Sequence, residues 1–226
     1  MVAVIRIIAG ICIFSLSSIC FATYGSMLCK NNPDVSCHVV RGGESWNSLF
    51  PNDEQRDLVM RLNRMNIRLH PGMVIAIPKN FNGLDKMRIA PFAKQINASG
   101  RKLILVSLEQ LAWGAYDEQG VLQNWGPVSG ARGYCPDIGQ GCHTPHGYFT
   151  IYEKEGPGCV SSKFPVGEGG APMPYCMFFH GGFALHGSYE VPGYNASHGC
   201  VRMYPDDAKW LNQEFTEGSR VDVKIQ

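Results

Sequence analysis

The chain has 226 residues, 45% of them hydrophobic and 17% charged, with a formal net charge of +1. This balance offers no basic surface for nucleic acid, and the chain includes no Gly-x-x-x-x-Gly-Lys run to cradle a phosphate. The length suffices for one medium domain plus a small one, and 26 Gly with 14 Pro favour a turn-rich β architecture.

Residues 1–22 read as an export signal. Arg6 is their one charge, an apolar run follows from Ile7 to Leu16, and Cys20-Phe21-Ala22 offers a small-x-small cleavage site. The apolar run is shorter than the roughly 20 residues of a bilayer span. Cleavage is therefore expected over a lasting membrane anchor, with lipidation of Cys20 the lesser alternative. Loss of Arg6 leaves 19 basic and 19 acidic residues in a chain placed in the periplasm or cell envelope.

Seven cysteines lie beyond the leader: Cys29, Cys37, Cys135, Cys142, Cys159, Cys176 and Cys200. Seven is odd, so in an oxidising compartment at least one stays free or pairs between chains. Sequence alone does not choose among the connectivities. Nearest-neighbour pairing gives Cys29–Cys37, Cys135–Cys142 and Cys159–Cys176 and leaves Cys200 free. Gly and Pro between Cys135 and Cys142 can bend into a closed loop, and Cys159 and Cys176 border a Gly-rich stretch with little core of its own.

Residues 37–79 form a first unit. Cys37–Val40 reads as a strand, Arg41–Glu44 as a turn, Ser45 as the N-cap of a helix over Trp46–Phe50, and Asp53 as the start of a second helix with Leu58, Leu62 and Met65 near helical spacing. His70-Pro71-Gly72 turns into a strand over Met73–Ile77, ended by Pro78. Residues 80–100 are polar and punctuated by Gly and Pro, as in a linker or wrapping segment. From Arg101 the pattern is β. Strands are predicted at Lys102–Ser107, Leu111–Tyr116, Val121–Trp125, Tyr148–Tyr152, Pro174–Phe179, Gly182–Leu185 and Val221–Ile225, with a helix over Tyr204–Glu214.

The chemistry concentrates near the C-terminus. His186-Gly187-Ser188 closes a strand, and Ser197-His198-Gly199-Cys200-Val201-Arg202 begins eleven residues after His186. A thiol needs a nearby base to become a nucleophile. A glycine beside it lets a substrate carbonyl approach the backbone and its N–H donors. Cys142-His143-Thr144-Pro145-His146 imitates metal-ligand spacing, but a disulfide and a turn explain it better, and no metal or other cofactor is expected.

The two segments resemble the signature of the L,D-transpeptidase family with its YkuD-type catalytic domain. Upstream, Pro127-Val128-Ser129-Gly130 resembles the family's Pro-Val-Ser-x-Gly segment with one residue missing. Thr144-Pro145-His146-Gly147 resembles its Thr-Pro-x-Gly turn, and Gly170–Tyr175 the wall of its substrate cavity. The similarity covers residues 101–226. It implies a mainly β, mixed sandwich or barrel-like domain acting on peptidoglycan stem peptides. It also implies Cys200 as nucleophile, His186 as base oriented by the Gly187 carbonyl, and oxyanion donors around Gly199 and Cys200. His198 lines the same pocket and is an alternative base. Ser197, Arg202 and Tyr175 are the expected substrate contacts, Arg202 equally a brace and Tyr175 equally core. The family's thiol implies carbapenem β-lactams as inhibitors. The unit at 37–79 resembles a βααβ LysM module through Val40, Gly43, Glu44, Ser45, Leu62-Asn63, Pro71-Gly72 and Ile77-Pro78, which implies contact with glycan strands. A secreted cysteine peptidase and a wall-binding protein without activity are the competing readings.

Overall fold

In the computed structural model, residues 23–163 and 170–226 are described; the expected export signal, with Cys12 and Cys20, lies outside them. The first unit runs α1 (Tyr24–Asn31), β1 (Val35–Val39), α2 (Trp46–Leu49), α3 (Asp53–Leu62) and β2 (Val74–Pro78), with β1 antiparallel to β2. Local chemistry fixes the helix starts. Ser45 and Ser48 form a reciprocal capping box on α2. The Asn52 side chain accepts the Gln55 N–H on α3, whose first turn carries Asp53 and Glu54. Both helices bury Trp46, Phe50 and Val59 against Met65, Leu69 and Ile75. The strand–helix–helix–strand order agrees with the sequence pattern.

Helix α1 was not predicted. Eight residues make a marginal helix alone. It is held because Cys29 is disulfide-bonded to Cys37 and because Gly25 leaves room for the Asn63 side chain, which any Cβ there would strike.

Residues 80–100 contain no regular helix or strand and wrap the second unit. The Trp125 indole donates to the Lys86 carbonyl (2.5 Å), Tyr116 Oη to the Ala93 carbonyl (2.9 Å), and Ile96 N–H to the Gly120 carbonyl (2.9 Å).

Strands β3 (Lys102–Ser107), β4 (Ala112–Tyr116) and β5 (Leu122–Ser129) open the second unit; β6 (Gly133–Cys135) and β7 (Gln140–Cys142) form a separate hairpin. Then come β8 (Gly147–Thr150), β9 (Glu153–Lys154), β10 (Met177–His180), β11 (Phe183–Gly187), β12 (Val201–Met203) and β13 (Val221–Ile225). The main sheet has nine strands in the order β8-β13-β3-β4-β5-β12-β11-β10-β9. It is mixed, with β3/β13 and β11/β12 parallel. It curls until its ends meet: Phe149 on β8 packs 5.3 Å from Phe179 on β10, and Tyr152 N–H donates to the Phe178 carbonyl (3.0 Å). The expected sandwich or barrel is thus one curled sheet. Its core holds Ile104, Trp113, Leu185, Met203 and Val223 against Leu211 and Phe215. The predicted C-terminal helix is α4 (Pro205–Trp210), which widens into a π-helical turn over Leu211–Phe215. Cys135–Cys142 and Cys159–Cys176 are disulfides, and Cys200 is the free cysteine among the described residues.

Candidate active site

Strands β11 and β12 set the geometry. Their parallel register places Leu185 opposite Val201, His186 opposite Arg202 and Gly187 opposite Met203. Side chains alternate across a strand, and directly paired residues share a face. Leu185, Val201 and Met203 point into the main core. His186 and Arg202 therefore take the opposite face, and Cys200, two residues before Arg202, returns to it. Cys200 packs there with Ala184, Met173 and the Cys159–Cys176 disulfide. Carried one residue beyond β12, the register puts Cys200 diagonal to His186, and its thiol donates to the Gly182 carbonyl (3.8 Å).

His186 is 5% exposed. Its Nδ1 lies 3.0 Å from the Gly187 carbonyl. A carbonyl only accepts, so Nδ1 carries the proton and the neutral ring presents a bare Nε2. Burial lowers the His186 pKa to about 4; the Gly187 bond opposes this shift, and the positive charge of Arg202 adds to it. Burial likewise raises the Cys200 pKa, against a backbone hydrogen bond from Ala184 and the charge of Arg202, which both lower it. At neutral pH the pair rests as neutral imidazole and thiol.

The turn before Cys200 is braced from within. Ser197 is 2% exposed; its Oγ donates to the Cys200 carbonyl (2.6 Å) and accepts the Gly199 N–H (3.0 Å). Ser197, an expected substrate contact, is thus a buried brace of the turn, and the Gly199 N–H, an expected oxyanion donor, is engaged inside it. Glycine is needed at 199 for a different reason. Its φ is +154°, and a Cβ would lie 2.5 Å from Phe183 Cε1. Thr144 Oγ1 ties the turn down, donating to the Gly199 carbonyl (2.7 Å) and accepting the Ala131 N–H (3.0 Å). His198 commits its Nε2 to Asp137 (2.6 Å) on the loop closed by Cys135–Cys142. Cys135, Asp137 and His198 have metal-like spacing, but the Cys135 sulfur is bonded to Cys142.

Arg202 Nη1 meets Glu190 twice, at the carbonyl (3.3 Å) and at Oε2 (3.4 Å). Tyr175 packs half-buried against the main core with φ +58°. Behind it, Asn212 in the π-helical turn donates to the Glu155 and Cys176 carbonyls (3.1 and 3.2 Å), holding Cys176, whose disulfide with Cys159 packs with Cys200. A cavity of about 520 Å³ is walled by Leu108, Glu109, Ala131, Thr144 and Asn195, with His143 and His146. It shares Thr144 with the cysteine turn. Asp137, Glu190 and Asn212 were missed, because nothing in their local sequence marks them; each acts through a partner far along the chain.

Residues 101–223 match the model of the L,D-transpeptidase catalytic domain family, YkuD. No curated protein matches the chain. Among solved structures, an L,D-transpeptidase from Xylanimonas cellulosilytica is similar at 26% identity and TM-score 0.51, covering 60% of this chain and 65% of that one. One from Stackebrandtia nassauensis has 24% identity and TM-score 0.46, over 61% and 60% of the chains. L,D-transpeptidase 3 from Mycobacterium tuberculosis, in complex with a faropenem-derived adduct, has 22% identity and TM-score 0.43, over 54% and 60%. The chain thus spans just under two thirds of the length of the Xylanimonas structure. The family match covers more than half of the chain and includes both His186 and Cys200, so the protein belongs to the YkuD family of L,D-transpeptidase catalytic domains.

Proposed function

We propose that the protein is a peptidoglycan L,D-transpeptidase with Cys200 as nucleophile and His186 as general base. The observation that carries this is the register of β11 and β12, which puts a partly buried thiol on the same face as a buried, neutral histidine whose Nδ1 is held by the Gly187 carbonyl. His186 Nε2 takes the thiol proton as sulfur attacks the carbonyl of the third stem residue, meso-diaminopimelate in the family's usual substrate. The C–N bond to the terminal D-alanine breaks, His186 returns the proton to the leaving amine, and a thioester remains. With the Gly199 N–H engaged, the Cys200 N–H is the turn's donor for the oxyanion. Arg202, held by Glu190, supplies positive charge for a stem carboxylate. An amine of a second stem resolves the thioester into a 3→3 cross-link; a lipoprotein lysine would give anchoring, and water would give L,D-carboxypeptidase activity. The same thiol would open a carbapenem ring to a stable thioester.

The unit over residues 37–79 serves as a LysM-like contact to glycan strands, residues 80–100 as the wrapping linker, and 101–226 as the catalytic domain. The three disulfides and the leader at 1–22 support export to the periplasm or cell envelope. Incubation with a purified disaccharide-tetrapeptide tests the reading by mass spectrometry. Release of D-alanine with a dimeric product is expected, and an untouched tetrapeptide sinks it.

A further inference from the structure

The chain between His186 and Cys200 is held from outside by the first unit. Asn66 makes three hydrogen bonds to it. Its Nδ2 donates to the Ser188 carbonyl (2.8 Å), its Oδ1 accepts the Val191 N–H (2.9 Å), and its backbone N–H donates to the Val191 carbonyl (2.9 Å). Met65 pairs with Pro192 in an antiparallel bridge, and Tyr24 N–H donates to the Gly193 carbonyl (2.8 Å). Gly193 has φ +81°, and a Cβ there would come 3.0 Å from the Asn63 carbonyl, so the two units meet without a gap. Between the residues that Asn66 holds stands Glu190, whose carbonyl and carboxylate both grip Arg202. Glu190 itself is mostly exposed, and its backbone is otherwise tied by its N–H to Ser188 Oγ (3.0 Å).

We infer that Asn66 is a positioning residue for the transpeptidase site: by clamping residues 188 and 191 it sets Glu190, and through Glu190 it aims Arg202 at the substrate. The first unit is then part of the active site as well as a tethered binding module. This rests on the transpeptidase reading above. The effect falls on binding, because the His186–Gly187 arrangement is held by β-sheet pairing that Asn66 does not touch.

The test is steady-state kinetics on the full chain with a disaccharide-tetrapeptide. Asn66→Ala should raise KM about tenfold and hold kcat within about twofold. Asn66→Asp keeps an acceptor for the Val191 N–H and should fall between. Tyr204→Phe removes another hydrogen bond of the same interface, Tyr204 Oη to the Met65 carbonyl (2.6 Å), and leaves all three Asn66 bonds in place. It should lower the melting temperature and leave KM unchanged. An Asn66→Ala enzyme with wild-type KM overturns the inference, and so does an equal KM rise in Tyr204→Phe, which would mean general loosening of the interface. Failure of the wild type to release D-alanine would instead overturn the underlying activity.

Discussion

Cys200 has two different surroundings. On one side its turn is sewn to Gly130, Arg132 and Thr144 by hydrogen bonds, with buried Ser197 at the centre. On the other it meets an apolar patch of Met173, Ala184 and the Cys159–Cys176 disulfide. The polar side fixes where the sulfur stands, since each bond holds one backbone atom. The apolar side fixes what charge it carries, since removal of water penalises thiolate and imidazolium alike. Position comes from many small directional contacts, and reactivity from one dry face.

The largest effect should come from the reacting pair. Cys200→Ala should abolish D-alanine release and leave the melting temperature near wild type. His186→Ala should cost on the order of a thousandfold or more in kcat, because members of a catalytic unit are not additive. Intact-mass spectra with a carbapenem should show one adduct on the wild type and none on Cys200→Ala. An adduct that persists on Cys200→Ala would place the nucleophile elsewhere.

Much of this was legible in the sequence, for reasons that differ by residue. The cysteine pairs were readable because each closes a short loop, and the histidine strand because Phe183–Leu185 is an apolar run ending in a polar residue. The role of Gly199 was only half legible. A glycine beside a nucleophile suggests access for substrate, whereas the Phe183 ring that excludes a side chain lies on another strand. Asp137, Glu190 and Asn66 were invisible, because each takes its meaning from a partner brought near by folding. Helix α1 was missed because its hold on β1 is a disulfide and a glycine contact, neither of which shows as helical periodicity.

The dry face predicts an acid-sensitive stability. The folded-state pKa of His186 is depressed to about 4 from an ordinary 6.5. Between those values the unfolded chain binds the proton and the folded chain does not. The stabilisation is complete above about pH 6.5 and is lost as pH falls toward 4, up to about 3 kcal/mol. Unfolding free energies of wild type and His186→Asn, compared across that window, isolate the effect. Parallel curves would mean that His186 titrates normally. The acid limb of kcat/KM should fall near 4 as well, and a limb at 6.5 would argue for a solvated base.

The two nearby disulfides sharpen the contrast between the sides. In the chain-entropy model, opening the Cys159–Cys176 loop, with its separation of 17, costs roughly 3 kcal/mol; opening Cys135–Cys142, with a separation of 7, costs roughly 2 kcal/mol. Activity should follow the same order for a second reason. Cys159 and Cys176 pack directly on the apolar side of Cys200, so a Cys159→Ser, Cys176→Ser enzyme loses part of the dry face, while Asn212 still holds the Cys176 carbonyl. Chemical denaturation and D-alanine release on both double-serine variants provide the check. A more active enzyme after loss of Cys159–Cys176 would show that the disulfide restrains the site.

The smallest effect tests which histidine matters. His198 stands two residues from Cys200, yet its Nε2 is bonded to Asp137, whose carboxylate is held below its usual pKa range by that contact. Asp137 is half exposed, so solvent screens the pair and it adds little to stability. His198→Ala should therefore lower kcat by only a few-fold, through loosening of the loop closed by Cys135–Cys142, and Asp137→Asn should reproduce that loss. The double variant decides the interpretation. If His198 acts only through Asp137, the two changes together cost no more than either alone. If His198→Ala is as inactive as His186→Ala while Asp137→Asn is unimpaired, His198 is the base and His186 a buried brace.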